Sequence, residues 1–201
     1  MQSEDTSSET AKPGMHDRLT RYVQVFDDAM SPAFCAQMVA GFQQMEKLQT
    51  PNGRGHRAGL DDSAWTELDI TPFADQAMQG FFYDQIDRHL ARYNQTLGLT
   101  IGVPSRPNLE ALRIKRYRVG QDEKFQPHFD AIDAKANRYL VFLWYLNDVA
   151  EGGETLFCDL DVRVAPKVGR LLVFPPYWMF QHAGLPPLSN DKYIVSTYLL
   201  F

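Results

Sequence analysis

The run Lys124-Phe-Gln-Pro-His-Phe-Asp130 sets two metal-ligating residue types, His128 and Asp130, two positions apart. Side chains of an extended chain alternate faces, so residues i and i+2 project from the same side. If 124–130 is extended, His128 and Asp130 enter one cavity. His182, 52 residues after Asp130, is the candidate third ligand, supplied by a distant strand. Two imidazoles and one carboxylate on one face of a metal leave coordination positions open, an arrangement suited to non-haem Fe(II). A lone His-x-Asp is common and mostly structural, so the reading depends on its surroundings.

The elements that must hold these residues show as a change of period. From residue 110 the pattern is β. Residues 112–119 form a strand candidate that stops at Gly120, and 139–146 is almost wholly apolar and closes at Asn147-Asp148. Segments 162–164, 169–174, 178–182 and 192–201 complete the set. Short strands separated by Gly and Pro turns indicate a sandwich or jelly roll.

The first half is mainly helical, after a short strand over 22–26. Ser31-Pro32 offers an N-cap followed by Pro at N1. Phe34, Cys35, Met38, Val39, Phe42 and Met45 then recur at three- and four-residue steps, a core-facing stripe rather than a ligand set. Thr71-Pro72 repeats the start signal for a longer helix whose face runs from Phe73 through Phe82, Ile86 and Leu90 to Leu97, with Gly98 as its C′ residue. Residues 52–63 are a glycine-rich loop and a candidate lid. Within it, Gly53-Arg-Gly-His-Arg-Ala58 matches a dinucleotide fingerprint in letters only, because no strand is expected before it and no helix after.

A length of 201 residues bounds the chain to one domain with a sizeable core. Residues 1–17, acidic and poor in apolar side chains, read as a disordered tail. Residues 18–201 read as the single domain, with 18–109 as mainly helical support and 110–201 as the jelly-roll catalytic core. The expected class is α+β: a double-stranded β-helix with supporting N-terminal helices. A net charge of −5 argues against a nucleic-acid partner, which requires clustered cations. No apolar run reaches the roughly 18 residues of a membrane span. The start lacks the basic and apolar segments of a secretory signal. Cys35 and Cys158 lie 123 residues apart with no metal-type spacing, so the cysteines are expected reduced in a cytoplasmic protein.

The second half also resembles the Fe(II)- and 2-oxoglutarate-dependent dioxygenases, most of all their prolyl 4-hydroxylase group. The matching pieces are Tyr117 before a Gly turn, Pro127-His-Phe-Asp130, Tyr145-Leu-Asn-Asp148, Gly152-Gly-Glu-Thr155, Gly169-Arg-Leu-Leu-Val-Phe-Pro175, His182-Ala-Gly184 and Lys192-Tyr-Ile194. Their order and spacing agree over about 85 residues. The resemblance implies that His128, Asp130 and His182 ligate Fe(II). It implies that Lys192 meets the distal carboxylate of 2-oxoglutarate, and that Tyr117 and Tyr145 face the same pocket. Thr155 is a weaker match for that lining. A cation at the inner end of an apolar barrel needs an anionic partner, which agrees with the role given to Lys192. The carboxylate at 130 argues for hydroxylation over halogenation, which needs that position vacant.

The implied reaction consumes O₂ and 2-oxoglutarate, with ascorbate as a possible accessory, and hydroxylates a prolyl residue of a peptide or protein. The same chemistry on a free amino acid or other small molecule is the alternative. From other classes, a cupin-like metal isomerase or hydrolase and a non-catalytic interaction module remain open. Arg113 and Lys115 share strand parity with Tyr117. They read first as solvated cations on a twisted edge strand, and second as contacts at the cavity mouth for an acidic substrate or a peptide backbone.

Overall fold

Cap chemistry and apolar period build the first hundred residues of the chain, which a computed structural model describes over 14–105 and 108–201. A short helix α1, Met15–Thr20, leads into strand β1, Gln24–Phe26. Helix α2 is Pro32–Gln44; the Ser31 side chain accepts from the Phe34 amide, and Cys35, Met38 and Phe42 are buried. Strands β2, Thr50–Gly53, and β3, Ala64–Asp69, pair as a hairpin around the glycine-rich loop. Helix α3, Gln76–Leu97, ends at Gly98 in the left-handed conformation. The remaining strands are β4, Asn108–Leu109; β5, Arg113–Tyr117; β6, Phe125–His128; β7, Arg138–Tyr145; and β8, Thr155–Phe157. Then come β9, Val162–Val164; β10, Leu171–Phe174; β11, His182–Gly184; and β12, Lys192–Leu200.

The strands form two antiparallel sheets. The larger runs β1-β10-β7-β12-β5-β3-β2, with β4 also on β12, and the smaller runs β6-β11-β8-β9. Their inner faces share one core, in which Val141, Leu143 and Tyr145 of the larger sheet meet Phe157 and Val164 of the smaller. The outer face of the larger sheet packs Leu140, Phe142 and Trp144 under Phe82, Ile86 and Leu90 of α3. Alternate residues of β7 therefore enter two different cores, so the strand has no polar face. This is the double-stranded β-helix with helical support expected from the sequence.

The expected tail over 1–17 lies mostly outside the described residues, but helix α1 begins within it at Met15. Thr71-Pro72 does not start α3; it forms a single 3-10 turn, and Asp75 caps the helix by accepting from the Met78 amide. Thr71 is otherwise engaged, because its hydroxyl accepts from the Leu112 amide at 2.9 Å. Segment 178–182 is not one strand. Trp178–Phe180 is a 3-10 turn, and only His182 onward pairs. The carbonyl of Pro176, just before that turn, accepts from the amides of Asp130 and Ala131 at 3.0 Å each, which ties it to the loop carrying Asp130. A strand does precede the Gly53 loop, although no helix follows it. Among the described residues no helix is long and apolar enough to cross a membrane.

Candidate metal centre

His128 ends β6 and His182 begins β11, and the two are direct partners across the strand pair. Asp130 follows in the turn after β6. Ligand atoms of the three lie within 4.8 Å of one another, the only such His/Cys/Asp/Glu group among the described residues. The Nε2 atom of His128 is 3.7 Å from Asp130 Oδ1, and that of His182 is 3.5 Å from Asp130 Oδ2. Each Nδ1–H donates to a main-chain carbonyl, His128 to Gln126 at 2.8 Å and His182 to Phe180 at 3.1 Å. Those bonds fix the tautomers, so both Nε2 lone pairs face the carboxylate.

Burial pushes the His128 imidazole down to about 3, and the neighbouring His182 adds to the effect. Burial also lowers His182, against the attraction of Asp130. Both rings are thus neutral at physiological pH, the form that ligates metal. Burial alone would raise the Asp130 carboxyl, but His182, His128, Arg138 and Lys115 outweigh it and hold it below the usual range. Asp130 Oδ2 is buried with no hydrogen-bond partner. A buried carboxylate oxygen facing two imidazole lone pairs is a donor set that a divalent ion fits.

Below the triad lies a small cavity. Lys192, only 2% exposed, projects into it. Its ammonium donates to the Gly153 carbonyl at 2.8 Å and lies 4.7 Å from the centre of the Tyr117 ring. Burial lowers the lysine to about 7. The Tyr145 hydroxyl and Thr155 Oγ1 share a hydrogen bond of 2.7 Å in the same region. The structure thus brings Tyr117, Thr155 and Lys192 to the cavity wall beside the triad, with Tyr145 reaching it through Thr155.

Two readings of β5 change. β5 is not an edge strand but lies between β12 and β3. Lys115 is accordingly buried, 9% exposed, and lines the cavity rather than facing solvent. Arg113 turns to Glu67 of β3, with an ion pair of 3.1 Å. The pairing with β3, unrecognised in the sequence, is the physical reason for both changes.

Sequence reasoning also missed Tyr198 and Arg138. Tyr198 donates to Asp130 Oδ1 at 3.0 Å, and the Arg138 guanidinium lies 3.6 Å from the centre of its ring. Alternation along β12 from Lys192 through 194 and 196 leads to Tyr198, so a signal existed. Arg138 is clamped by Glu110 through two bonds of 2.7 Å, a long-range pairing with no local signature.

Residues 112–200 match the family model described as "2OG-Fe(II) oxygenase superfamily". Prolyl 4-hydroxylase subunit alpha-2 of Gallus gallus is 28% identical over 152 residues, covering 67% of this chain and 24% of its own length. The chain spans about a quarter of the length of the curated relatives it matches. A prolyl hydroxylase of Trichoplax adhaerens, solved with a hypoxia inducible factor oxygen degradation domain peptide fragment, superposes with a TM-score of 0.70 at 16% identity, covering 90% of this chain and 84% of that one. The viral collagen prolyl hydroxylase of Paramecium Bursaria Chlorella virus-1, solved as its 2OG complex, has a TM-score of 0.61 at 20% identity, covering 88% and 94%. The two structural likenesses speak to the fold, whereas the family match runs through the strands and turns that carry all three ligand candidates. On that ground residues 112–200 are similar to the 2OG-Fe(II) oxygenase superfamily.

Proposed function

We propose that this chain is an Fe(II)- and 2-oxoglutarate-dependent oxygenase that hydroxylates a prolyl residue of a peptide or protein, with 18–201 acting as one oxygenase domain. One observation carries the reading: a buried, cavity-facing lysine, Lys192, shares a cavity with a two-histidine, one-carboxylate group. A cupin-like isomerase or hydrolase has no use for such a cation, and a binding module has no use for a complete ligand set.

His128, Asp130 and His182 would hold Fe(II), which with 2-oxoglutarate supplies the oxidising power to insert an oxygen atom from O₂ into a C–H bond. The chain's own work is positioning and exclusion of water. Lys192, with Thr155, Tyr145 and Tyr117 near it, would receive the distal carboxylate. Phe125, stacked 3.6 Å from the His128 ring, covers one side of the triad with an apolar wall. Outside the triad a groove of about 540 Å³ runs between the glycine-rich loop at Arg57 and Leu60 and the segment at Ile132 and Lys135. An open groove that reaches His128 and Asp130 suits an extended peptide better than a small molecule. The prolyl identity of that peptide rests on the relatives and their names. Cys35 and Cys158 are both free, which supports a reducing compartment such as the cytoplasm.

The test is succinate release from 2-oxoglutarate by protein supplied with Fe(II), O₂ and ascorbate. Low release is expected without substrate, and stimulation by a prolyl peptide that gains the mass of one oxygen. Stimulation by some other compound alone removes the prolyl assignment. No succinate under any condition from folded, iron-loaded protein removes the oxygenase assignment.

A further inference from the structure

We propose that Lys115 forms a second anion subsite in this cavity, one that takes a carboxylate at the metal-facing end; the inference rests on the oxygenase reading above. Lys115 is a cation placed where an apolar residue would fit at lower cost. It is nine-tenths buried and lines the cavity. Among the described residues its ammonium makes no hydrogen bond and no ion pair within 4.0 Å. It faces aromatic rings instead, 5.5 Å from the centre of Trp65 and 5.6 Å from that of Phe125. The acidic groups that attract it, Glu67 across the strand pair and Asp130, stay beyond 4.0 Å and hold other donors closer. Glu67 accepts from Trp65 Nε1 at 2.7 Å and from Arg113 at 3.1 Å, and Asp130 accepts from Tyr198. Burying a cation with no carboxylate in hydrogen-bond reach is expensive, so its retention points to a ligand that supplies one.

Strand register locates the subsite. Lys192 pairs with Tyr117, and Lys115 pairs with Ile194, one step further along the same inward face. Continuing along β12, the next inward residues are Ser196 and then Tyr198, which reaches Asp130. Lys115 therefore stands on the triad side of Lys192. Any dicarboxylate that reaches from Lys192 to the triad passes it. Lys115 and Lys192 are the two lysines that line this cavity, and Asp130 is the one acidic residue among its lining. Two sources share the required chemistry: the metal-end carboxylate of 2-oxoglutarate, or a carboxylate carried by the substrate close to the reacting carbon.

The experiment compares wild type, Lys115→Met and Lys115→Arg. Thermal unfolding of ligand-free protein comes first: Lys115→Met should be as stable as wild type or more so, whereas marked destabilisation would make Lys115 a packing residue and overturn the inference. Mn(II)-loaded protein is then titrated with 2-oxoglutarate and with 4-oxopentanoate, in which a methyl group replaces the metal-end carboxylate. If 2-oxoglutarate is the source, Lys115→Met should bind it about tenfold more weakly or worse, the scale of a lost charge-assisted hydrogen bond. Binding of 4-oxopentanoate should not change, and Lys115→Arg should recover part of the loss. If the substrate is the source, 2-oxoglutarate binding stays equal in the two proteins. Stimulation of succinate release by free proline or a peptide with a C-terminal proline then falls in Lys115→Met, while stimulation by the corresponding amides does not. Equal behaviour of wild type and Lys115→Met in both arms, or equal loss for 2-oxoglutarate and 4-oxopentanoate, overturns the inference and leaves the oxygenase reading standing. A wild-type protein that binds neither compound overturns both.

Discussion

The Tyr198 hydroxyl donates to Oδ1 of Asp130 at 3.0 Å, while Oδ2 of the same carboxylate has no hydrogen-bond partner. One oxygen is thus pinned to β12, and the other is presented to the imidazoles. Groups that orient a ligand from behind commonly change metal affinity by about 10–100-fold when removed. Tyr198→Phe, which keeps the ring under Arg138 and deletes only the hydroxyl, should weaken Co(II) or Fe(II) binding by roughly tenfold. Direct metal titration reads this without turnover. An unchanged affinity would mean that Arg138, 3.8 Å from Oδ1, holds the carboxylate unaided.

Asp130→Ala removes the only carboxylate of the triad. It should abolish both tight metal binding and succinate release. The fold should survive, since Asp130 lies in a turn and its amide still donates to the Pro176 carbonyl. Near-wild-type circular dichroism with metal binding lost is the expected pair of results. Activity in the variant, or in protein stripped of metal, would sink the metal assignment.

Lys192 gives a pH signature. Burial depresses it to about 7, so near pH 8 most ligand-free molecules carry it neutral. A carboxylate seated against it favours the ammonium. Binding of 2-oxoglutarate at pH 8 should therefore take up protons, and its affinity should fall as pH climbs above about 7. Calorimetry in two buffers of different ionisation enthalpy measures the uptake. Lys192→Ala should cut the uptake and weaken binding by about one to two decades. Proton release, or none at all, in wild type would place the carboxylate elsewhere.

How much of this was legible follows from the range of each interaction. His128 and Asp130 could be paired from sequence because strand alternation is local and holds in β6 and the turn after it. His182 and Lys192 required the family spacing, since nothing local announces a ligand 52 residues away. β3 was missed because only Trp65 and Leu68 of it are well buried and its other side chains are polar or small. That omission then misplaced Lys115, whose exposure depends on whether β5 has a neighbour on that side. Thr71 was expected to cap α3, but its hydroxyl accepts from the Leu112 amide, 41 residues away, and Asp75 caps the helix instead. Strand preference and cap choice of this kind are decided by tertiary partners more than by intrinsic propensity.

Gly152 couples the 186–188 segment to the acceptor of Lys192. Its φ is +72°, and a Cβ built there would stand 2.5 Å from the Pro186 carbonyl oxygen, which is backbone and cannot rotate away. That carbonyl accepts from the Gly153 amide at 2.9 Å, and the Gly153 carbonyl in turn accepts from Lys192. Gly152→Ala must therefore push the 152–153 turn off the 186–188 segment and shift the acceptor that orients Lys192. Left-handed backbone strain alone costs an alanine about 1 kcal/mol, and the clash adds to it. Gly120 is the control: its φ is +71°, but a Cβ there meets nothing within 4 Å. Urea unfolding should show a larger loss for Gly152→Ala than for Gly120→Ala, and only the former should weaken 2-oxoglutarate binding. Equal losses in stability with no change in affinity would show that the turn and the Lys192 acceptor are independent.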